Sequence, residues 1–477
     1  MNPARHDEIP AERRIFCNRT LNLRGIGAIG YDMDYTLIQY RVAEWEGCAF
    51  KHAVDLLRRD GVPVDDLSFD PLRMIQGLIV DRQHGNLLKV NRFGFVKGAW
   101  HGQRAVDFET VRRLYARTLV DHRDTRFAFL STLFSLSESS LYAQMVDLWD
   151  AGQLPAIADY DELYLRTRGS VDDAHRLGHL KAEIVADPDR FIDPDADTVR
   201  ALLDQREAGK KLLLVTNSDF AYTQRMMRHT FEPLLPAGSS WRELFDLIIV
   251  SARKPDFFSS RSPLLQVVSD DGLLRPVEGA PVPGAVYFGG NAALVESALN
   301  LSGDQILYVG DHFFGDVHAT KNVLRWRTAL IVRELELEIL EAARFLPQER
   351  ELVSLMQNKQ HLEEWSCALR VRLQRSKSRR VPLARPDLDE VHAELARLRE
   401  QQEQLEQRIG PLASSAAKIG NDQWGPLMRA GNDKSYLAFL IERHADIYTS
   451  RVSNFLHATP YAYFRSARGS LPHDVGG

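Results

Sequence analysis

Asp32-Met33-Asp34-Tyr35-Thr36-Leu37 sets two carboxylates one residue apart at the end of an apolar segment, Ile26-Gly27-Ala28-Ile29-Gly30-Tyr31. That segment is short and apolar enough for a buried strand. Past Tyr35 the chain turns polar, so both acids fall at the strand's C-terminal edge, where open α/β sheets place their ligands. Alternate residues of an extended strand point the same way, yet a chain leaving its strand can splay them to different tasks. One carboxylate can then attack an electrophile while the other manages protons. A solvated turn that happens to hold two acids reads equally well from this stretch alone.

Three later segments decide between those readings. Lys211-Leu212-Leu213-Leu214-Val215 is a second apolar run, and it ends in Thr216-Asn217-Ser218-Asp219, whose small hydroxyl and amide groups offer compact donors to a phosphate oxygen. Leu247-Ile248-Ile249-Val250 is a third, followed by Ser251-Ala252-Arg253-Lys254-Pro255, which supplies a lysine for phosphate charge. Gln305-Ile306-Leu307-Tyr308-Val309 is a fourth, ending in Gly310-Asp311-His312-Phe313-Phe314-Gly315-Asp316. Four strands in order thus deliver two acids, a hydroxyl and amide group, a lysine and an acid pair. Helical patterns lie between the later strands, as over residues 291–300, where Asn291 caps. Strands alternating with helices predict a parallel sheet covered on both faces.

These segments resemble the haloacid dehalogenase-like phosphohydrolases, with their D-x-D-x-T, S/T, K and acidic-pair order. With Gly85-Asn86-Leu87-Leu88-Lys89-Val90 and the GDHFFGD stretch from Gly310 to Asp316, the likeness narrows to the cytosolic purine 5′-nucleotidases specific for IMP and GMP. It runs from about Arg14 to about Pro472 and is weakest over residues 334–419. The resemblance implies an α/β fold, a Rossmann-like parallel sheet with a large, mostly helical cap insertion and a helical C-terminal region. It also implies that Asp32 is the nucleophile and that Asp34 protonates the leaving ribose oxygen, then deprotonates the attacking water. Mg²⁺, which favours oxygen ligands, is then expected on Asp32, the backbone carbonyl of Asp34, and Asp311. Asp316 is expected to hold Lys254 or a metal-bound water, unless it merely faces a helix start. Thr216, Asn217, Ser218 and Lys254 are expected to grip the phosphoryl oxygens.

Substrate choice is expected in the cap. Arg168, Asp172 and His175, spaced four and three apart, share one helical face and can read a purine edge. A solvated ion pair is the competing reading for Arg168 and Asp172. By resemblance, Lys181 approaches the phosphate and Phe134 stacks on the base. Three features depart from the family. Ser135 replaces an asparagine, and Asn322 replaces a second lysine linked to nucleotide activation, leaving Lys321. An acidic C-terminal tail is also missing, for the chain ends Leu471-Pro472-His473-Asp474-Val475-Gly476-Gly477.

A length of 477 residues calls for two or three units. The expected division is a first core piece over 1–38, a cap over 39–190 and the main core over 191–332. A charged helical extension follows over 333–419, then an aromatic-rich segment over 420–477 that packs on the core or a neighbouring subunit. Leu388, Val391, Leu395, Leu398, Leu405 and Ile409 follow a three-four spacing broken by Gln402, which fits an intramolecular hairpin or an intersubunit coiled coil.

A net charge of −5 gives no global pull toward nucleic acid or acidic membranes. No apolar run approaches a membrane span. Cys17, Cys48 and Cys367 show no disulfide or zinc spacing, and the acids among the first residues argue against a transit peptide, so cytoplasm is the expected compartment. The expected partners are purine nucleoside monophosphates, with a nucleoside as an alternative phosphoryl acceptor, and a second copy of the chain in a dimer or tetramer. Two competing functions stay open: a phosphatase of another small phosphomonoester, and an inactive nucleotide-binding regulatory protein.

Overall fold

The computed structural model describes residues 9–277, 281–378 and 380–467; the side chains of His318 and Asn322 lie outside that description. So do the comparison of Asn322 with a lysine and the character of the last residues. The chain divides into two compact units, one of residues 1–336 and 427–477 and the other of 337–426.

The larger unit is built on a ten-stranded sheet among the described residues. Its parallel part runs Ile447–Thr449, Arg327–Ile331, Ile306–Gly310, Ala28–Tyr31, Lys211–Val215, Leu247–Val250 and Val286–Gly289. Phe16–Cys17 joins one side antiparallel, and Leu264–Val267 and Leu274–Pro276 join the other. The four strands expected from the sequence are adjacent, with Ala28–Tyr31 central between Ile306–Gly310 and Lys211–Val215. Strands buried on both faces read as unbroken apolar runs, and these do. Leu213, Val215, Ile249, Tyr287, Tyr308 and Trp326 fill one side of the core at 3% exposure or less.

Register then places the chemistry. Tyr31 lies level with Leu214 and Val309, so Asp32, Thr216 and Asp311 leave the sheet at one edge. Gly30 sits in register between Leu213 and Tyr308. A Cβ there would fall 2.9 Å from the Tyr308 ring, so glycine is what lets that ring lie across the strand.

The insertion after the first strand carries the helices Val42–Arg59, Ser135–Asp150, Tyr160–Arg176 and His179–Ala186. It also carries a five-stranded antiparallel sheet that the mostly helical reading does not include. This sheet comprises Leu78–Asp81, Asn86–Val90, Val96–His101, Arg104–Ala105 and Phe127–Leu130. The motif at Gly85 to Val90 opens a hairpin in that sheet. Ile79, Leu88 and Phe127 pack there with Tyr436 and Leu440 and with Phe313 of the acid-pair loop. The aromatic C-terminal segment therefore serves the same unit, and its Ile447–Thr449 is a strand of the central sheet.

The smaller unit holds most of the helix Leu335–Lys377 and all of Arg385–Ala416. Lys359 pairs with Glu406 at 2.9 Å and Arg408 with Glu351 at 3.0 Å, so the helices form a hairpin within the chain. Val391 and Leu398 are buried in it. Gln402, the break in the apolar spacing, donates to Ser366 Oγ at 3.4 Å.

Candidate active site

Asp32 begins where its strand stops: its N–H still donates to Val309 O at 2.9 Å, while its carboxylate is released to the edge. Asp32 Oδ1 accepts from the Met33 N–H at 2.7 Å and lies 2.8 Å from Lys254 Nζ. Lys254 is held by three further residues. Its ammonium donates to Asp316 Oδ1 at 2.8 Å and to Tyr308 Oη at 3.0 Å, and Tyr308 in turn donates to Val215 O at 2.9 Å. Its backbone N–H donates to Asn217 Oδ1 at 2.6 Å, and its carbonyl accepts from Asn217 Nδ2 at 3.0 Å. The loop that delivers it takes left-handed backbone at Ser251 and Arg253, conformations L-residues adopt at a cost.

Asp34 occupies a different environment. Tyr40 Oη donates to its Oδ1 at 2.6 Å and Ser218 Oγ to its Oδ2 at 2.7 Å. Lys181, from the cap, donates to that same Ser218 Oγ at 3.2 Å and pairs with Asp219 at 3.5 Å. Burial pushes the Asp34 carboxyl above its ordinary range, with Lys181, Tyr40 and Ser218 pulling against it. A carboxyl raised toward neutrality suits proton transfer in both directions.

At two positions of the expected grip on phosphate, the side chain is engaged within the protein. The Asn217 side chain spans the Lys254 backbone, so it shapes the lysine loop. The Ser218 hydroxyl is spent on Asp34. Thr216 is buried beside them, its Oγ1 accepting from the Ser218 N–H at 3.1 Å. Asp316 accepts from the Lys254 ammonium at 2.8 Å and from the His312 N–H at 3.1 Å. Gly310 makes room for it, since a Cβ there would fall 2.3 Å from Asp316 Oδ2.

Oxygen atoms of Asp32, Asp311 and Asp316 lie within 4.8 Å of one another. Burial, then Asp32 and Asp316, hold the Asp311 carboxyl well above the usual carboxylate range. Burial opposes charge on Lys254 too, but Asp316 and Asp32 overcome it and keep the ammonium protonated. Thr36 Oγ1 donates weakly to Asp311 Oδ1 at 3.4 Å, while the buried Asp311 Oδ2 has no partner among the described residues. An orphaned carboxylate oxygen in an all-oxygen cluster fits a hard divalent cation such as Mg²⁺.

The cap residues gather over the same edge. Phe134 sets its ring edge-on to Tyr35 at 4.8 Å and to His175 at 5.9 Å. His175 Nε2 is buried with no partner among the described residues, and burial followed by Lys181 pushes its pKa down to about 4, so the ring is neutral at pH 7. Arg168 donates to Tyr164 Oη at 3.1 Å and pairs with Asp172 at 3.6 Å, the competing reading of that spacing. Ser135 Oγ lies 3.2 Å from Thr132 Oγ1. Sequence reading missed Tyr40 and Tyr308. Tyr308 had one signal, the glycine at position 30 opposite it.

Residues 15–476 match the family model described as the 5′ nucleotidase family. The chain is 28% identical over 480 residues to the human 5′-nucleotidase domain-containing protein 2, covering 97% of this chain and 85% of that one. A Dictyostelium discoideum 5′-nucleotidase domain-containing protein is 26% identical over 473 residues, covering 96% and 74%. Among solved structures, a predicted phosphoglycolate phosphatase of Haemophilus somnus is 14% identical with a TM-score of 0.27, covering 65% of this chain and 86% of that one. A β-phosphoglucomutase of Clostridium difficile is 12% identical with a TM-score of 0.24, covering 66% and 87%.

Proposed function

This chain belongs to the 5′ nucleotidase family, and from that premise we propose a Mg²⁺-dependent hydrolase of purine nucleoside monophosphates, IMP and GMP first among them. The observation that carries the reading is the division between two neighbouring carboxylates. Asp32 sits on the Lys254 ammonium, and Asp34 sits between two hydroxyl donors.

Asp32 attacks phosphorus in line, and the bond from phosphorus to the ribose oxygen breaks. Asp34 supplies the proton to that oxygen, leaving an aspartyl-phosphate on Asp32. Asp34 then takes a proton from water as the water attacks phosphorus, which returns Asp32 and releases phosphate. Lys254 offsets charge on the phosphoryl group throughout, held in place by Asp316 and Tyr308. Mg²⁺ bound by Asp32, Asp311 and the Asp34 carbonyl would add further charge stabilisation. A nucleoside replacing water at the second step gives phosphotransfer.

Phosphate release from a panel of nucleoside monophosphates tests the substrate: IMP and GMP should lead, and equal rates with CMP and UMP would refute the 6-oxopurine reading. Asp32→Asn should abolish turnover, and unchanged activity would remove the nucleophile. The Arg168–Asp172 pair at 3.6 Å favours a second reading, a phosphatase of another small phosphomonoester, because the two proposed base readers face each other. Asp172→Ala separates the two. A purine reader loses IMP turnover while aryl phosphate hydrolysis survives.

Within the described residues no helix is long and apolar enough to cross a membrane. We place the activity in the cytoplasm and the chain in a homo-oligomer, a dimer or tetramer; light scattering that gives a monomer mass would refute the latter.

A further inference from the structure

Away from the carboxylate site, two cap helices turn ligand-type side chains toward each other. The helix Val42–Arg59 presents Cys48 and His52, four residues apart and therefore on one face. The helix His179–Ala186 presents Glu183, with His179 one turn before it. The Cys48 sulfur, a His52 ring nitrogen and a Glu183 oxygen all lie within 4.8 Å of one another. His52 Nε2 stands 3.2 Å from Glu183 Oε2. The His52 and His179 rings are near-parallel with centroids 6.4 Å apart.

We propose that Cys48, His52 and Glu183 form a Zn²⁺ site, with His179 turning in as the fourth ligand. Sulfur, imidazole and carboxylate are the donor set zinc takes in tetrahedral sites, at about 2.0–2.3 Å from the ion. Zinc spacing is absent from the sequence around each cysteine because the ligand pairs come from two helices far apart in the chain. Thiolate and carboxylate together balance the two charges of the ion. The thiol proton leaves to solvent when sulfur binds. Arg190 donates to Glu183 Oε1 at 3.2 Å, which turns Oε2 toward His52 and fixes the carboxylate as a one-oxygen ligand. Cys48 is 4% exposed, while His52 and Glu183 are half-buried, so the ion has a way in.

The consequence reaches the active site. Lys181 lies on the helix that would be stapled, and its ammonium touches the Ser218 hydroxyl that donates to Asp34. Zinc would fix this lysine by tying its helix to Val42–Arg59.

The test uses the full chain with Cys17→Ser and Cys367→Ser, so that Cys48 is the remaining thiol. After chelation and dialysis, one equivalent of Co²⁺ should give a thiolate-to-cobalt band in the near ultraviolet. Cys48→Ser should abolish that band and His52→Ala should weaken and shift it. Asp311→Asn should leave it unchanged, because a carboxylate cluster gives no sulfur band. X-ray absorption of the zinc-loaded parent chain, which needs no variant, should show one sulfur among nitrogen and oxygen neighbours. An all-oxygen shell, or a cobalt spectrum without the sulfur band, would overturn the site and leave the three residues as an ordinary hydrogen-bonded contact.

Discussion

Tyr40 donates its hydroxyl to Asp34 Oδ1 at 2.6 Å, and a second tyrosine, Tyr222, stands 3.1 Å behind that hydroxyl. The loop between Asp34 and Tyr40 turns back at Tyr35, whose φ is +52°. A phenol on one oxygen and Ser218 on the other fix the rotation of the Asp34 carboxyl, and rotation decides whether its proton points at a leaving oxygen. Tyr40→Phe should therefore reduce turnover rather than binding. A hydrogen bond to a charged group contributes about 1.5–3 kcal/mol, so kcat should fall roughly ten- to a hundredfold with KM little changed. The loss should shrink on an aryl phosphate, whose leaving group needs less protonation. Equal losses on nucleotide and aryl phosphate would reduce Tyr40 to packing.

Gly310→Ala tests the support of Lys254 from the other side. The added methyl would meet the Asp316 carboxylate at 2.3 Å, a contact nothing tolerates without movement. Asp316 is 1% exposed and joined to Lys254, so it cannot swing away into water. Overpacking of this kind costs about 1–3 kcal/mol. The expected result is a lower melting temperature together with a loss of activity far larger than the stability loss explains. Wild-type kcat in a destabilised Gly310→Ala enzyme would show that the Asp316–Lys254 contact is not needed.

The carboxylate edge was legible because each acid follows a strand buried on both faces, and such strands are visible as unbroken apolar runs. Arg327–Ile331 begins with a charged and a hydroxyl residue, and Ile447–Thr449 is only three residues long. Their strand character comes from pairing with each other and with Ile306–Gly310, which no local pattern contains. The cap sheet escaped for a related reason. Val96–His101 is half-exposed with one buried position, so its sequence lacks a clean alternation. Asn217 shows the limit for sites: the motif placed it correctly at the edge, but only the fold shows its amide closing on Lys254.

Glu46 gives the pH dependence of stability. It is 0% exposed, and burial pushes its carboxyl up to about 8, although the Ser137 N–H donates to it at 3.0 Å. An unfolded chain releases this proton near the ordinary glutamate value, about 4.3, whereas the native state keeps it to about 8. Between those values the native state binds more protons, so stability is full at the acid end and falls as pH rises. Each pH unit in the window removes at most about 1.4 kcal/mol. Glu46→Gln keeps a carbonyl for Ser137 and removes the proton. Its melting temperature relative to wild type should therefore rise steadily from pH 5 to pH 8. A constant difference across that range would mean that Glu46 does not titrate there.

Removing the positive charge from the carboxylate cluster gives the sharpest test of how its members depend on one another. Lys254→Met leaves Asp32 and Asp316, 14% and 1% exposed, without their shared cation. Breaking a buried pair by taking one partner costs about 3–5 kcal/mol, because the remaining charge is uncompensated. The variant should be inactive and should melt lower in a chelator. Saturating Mg²⁺ should then raise its melting temperature by more than it raises that of wild type, since the ion would be offsetting charge that Lys254 no longer does. At a hundred times the dissociation constant, binding alone contributes about 2.7 kcal/mol, which is readily seen in a thermal scan. Asp311→Asn should cut the magnesium response in both backgrounds. If Lys254→Met responded to Mg²⁺ no more than wild type does, lysine and metal would not be sharing one field of carboxylates.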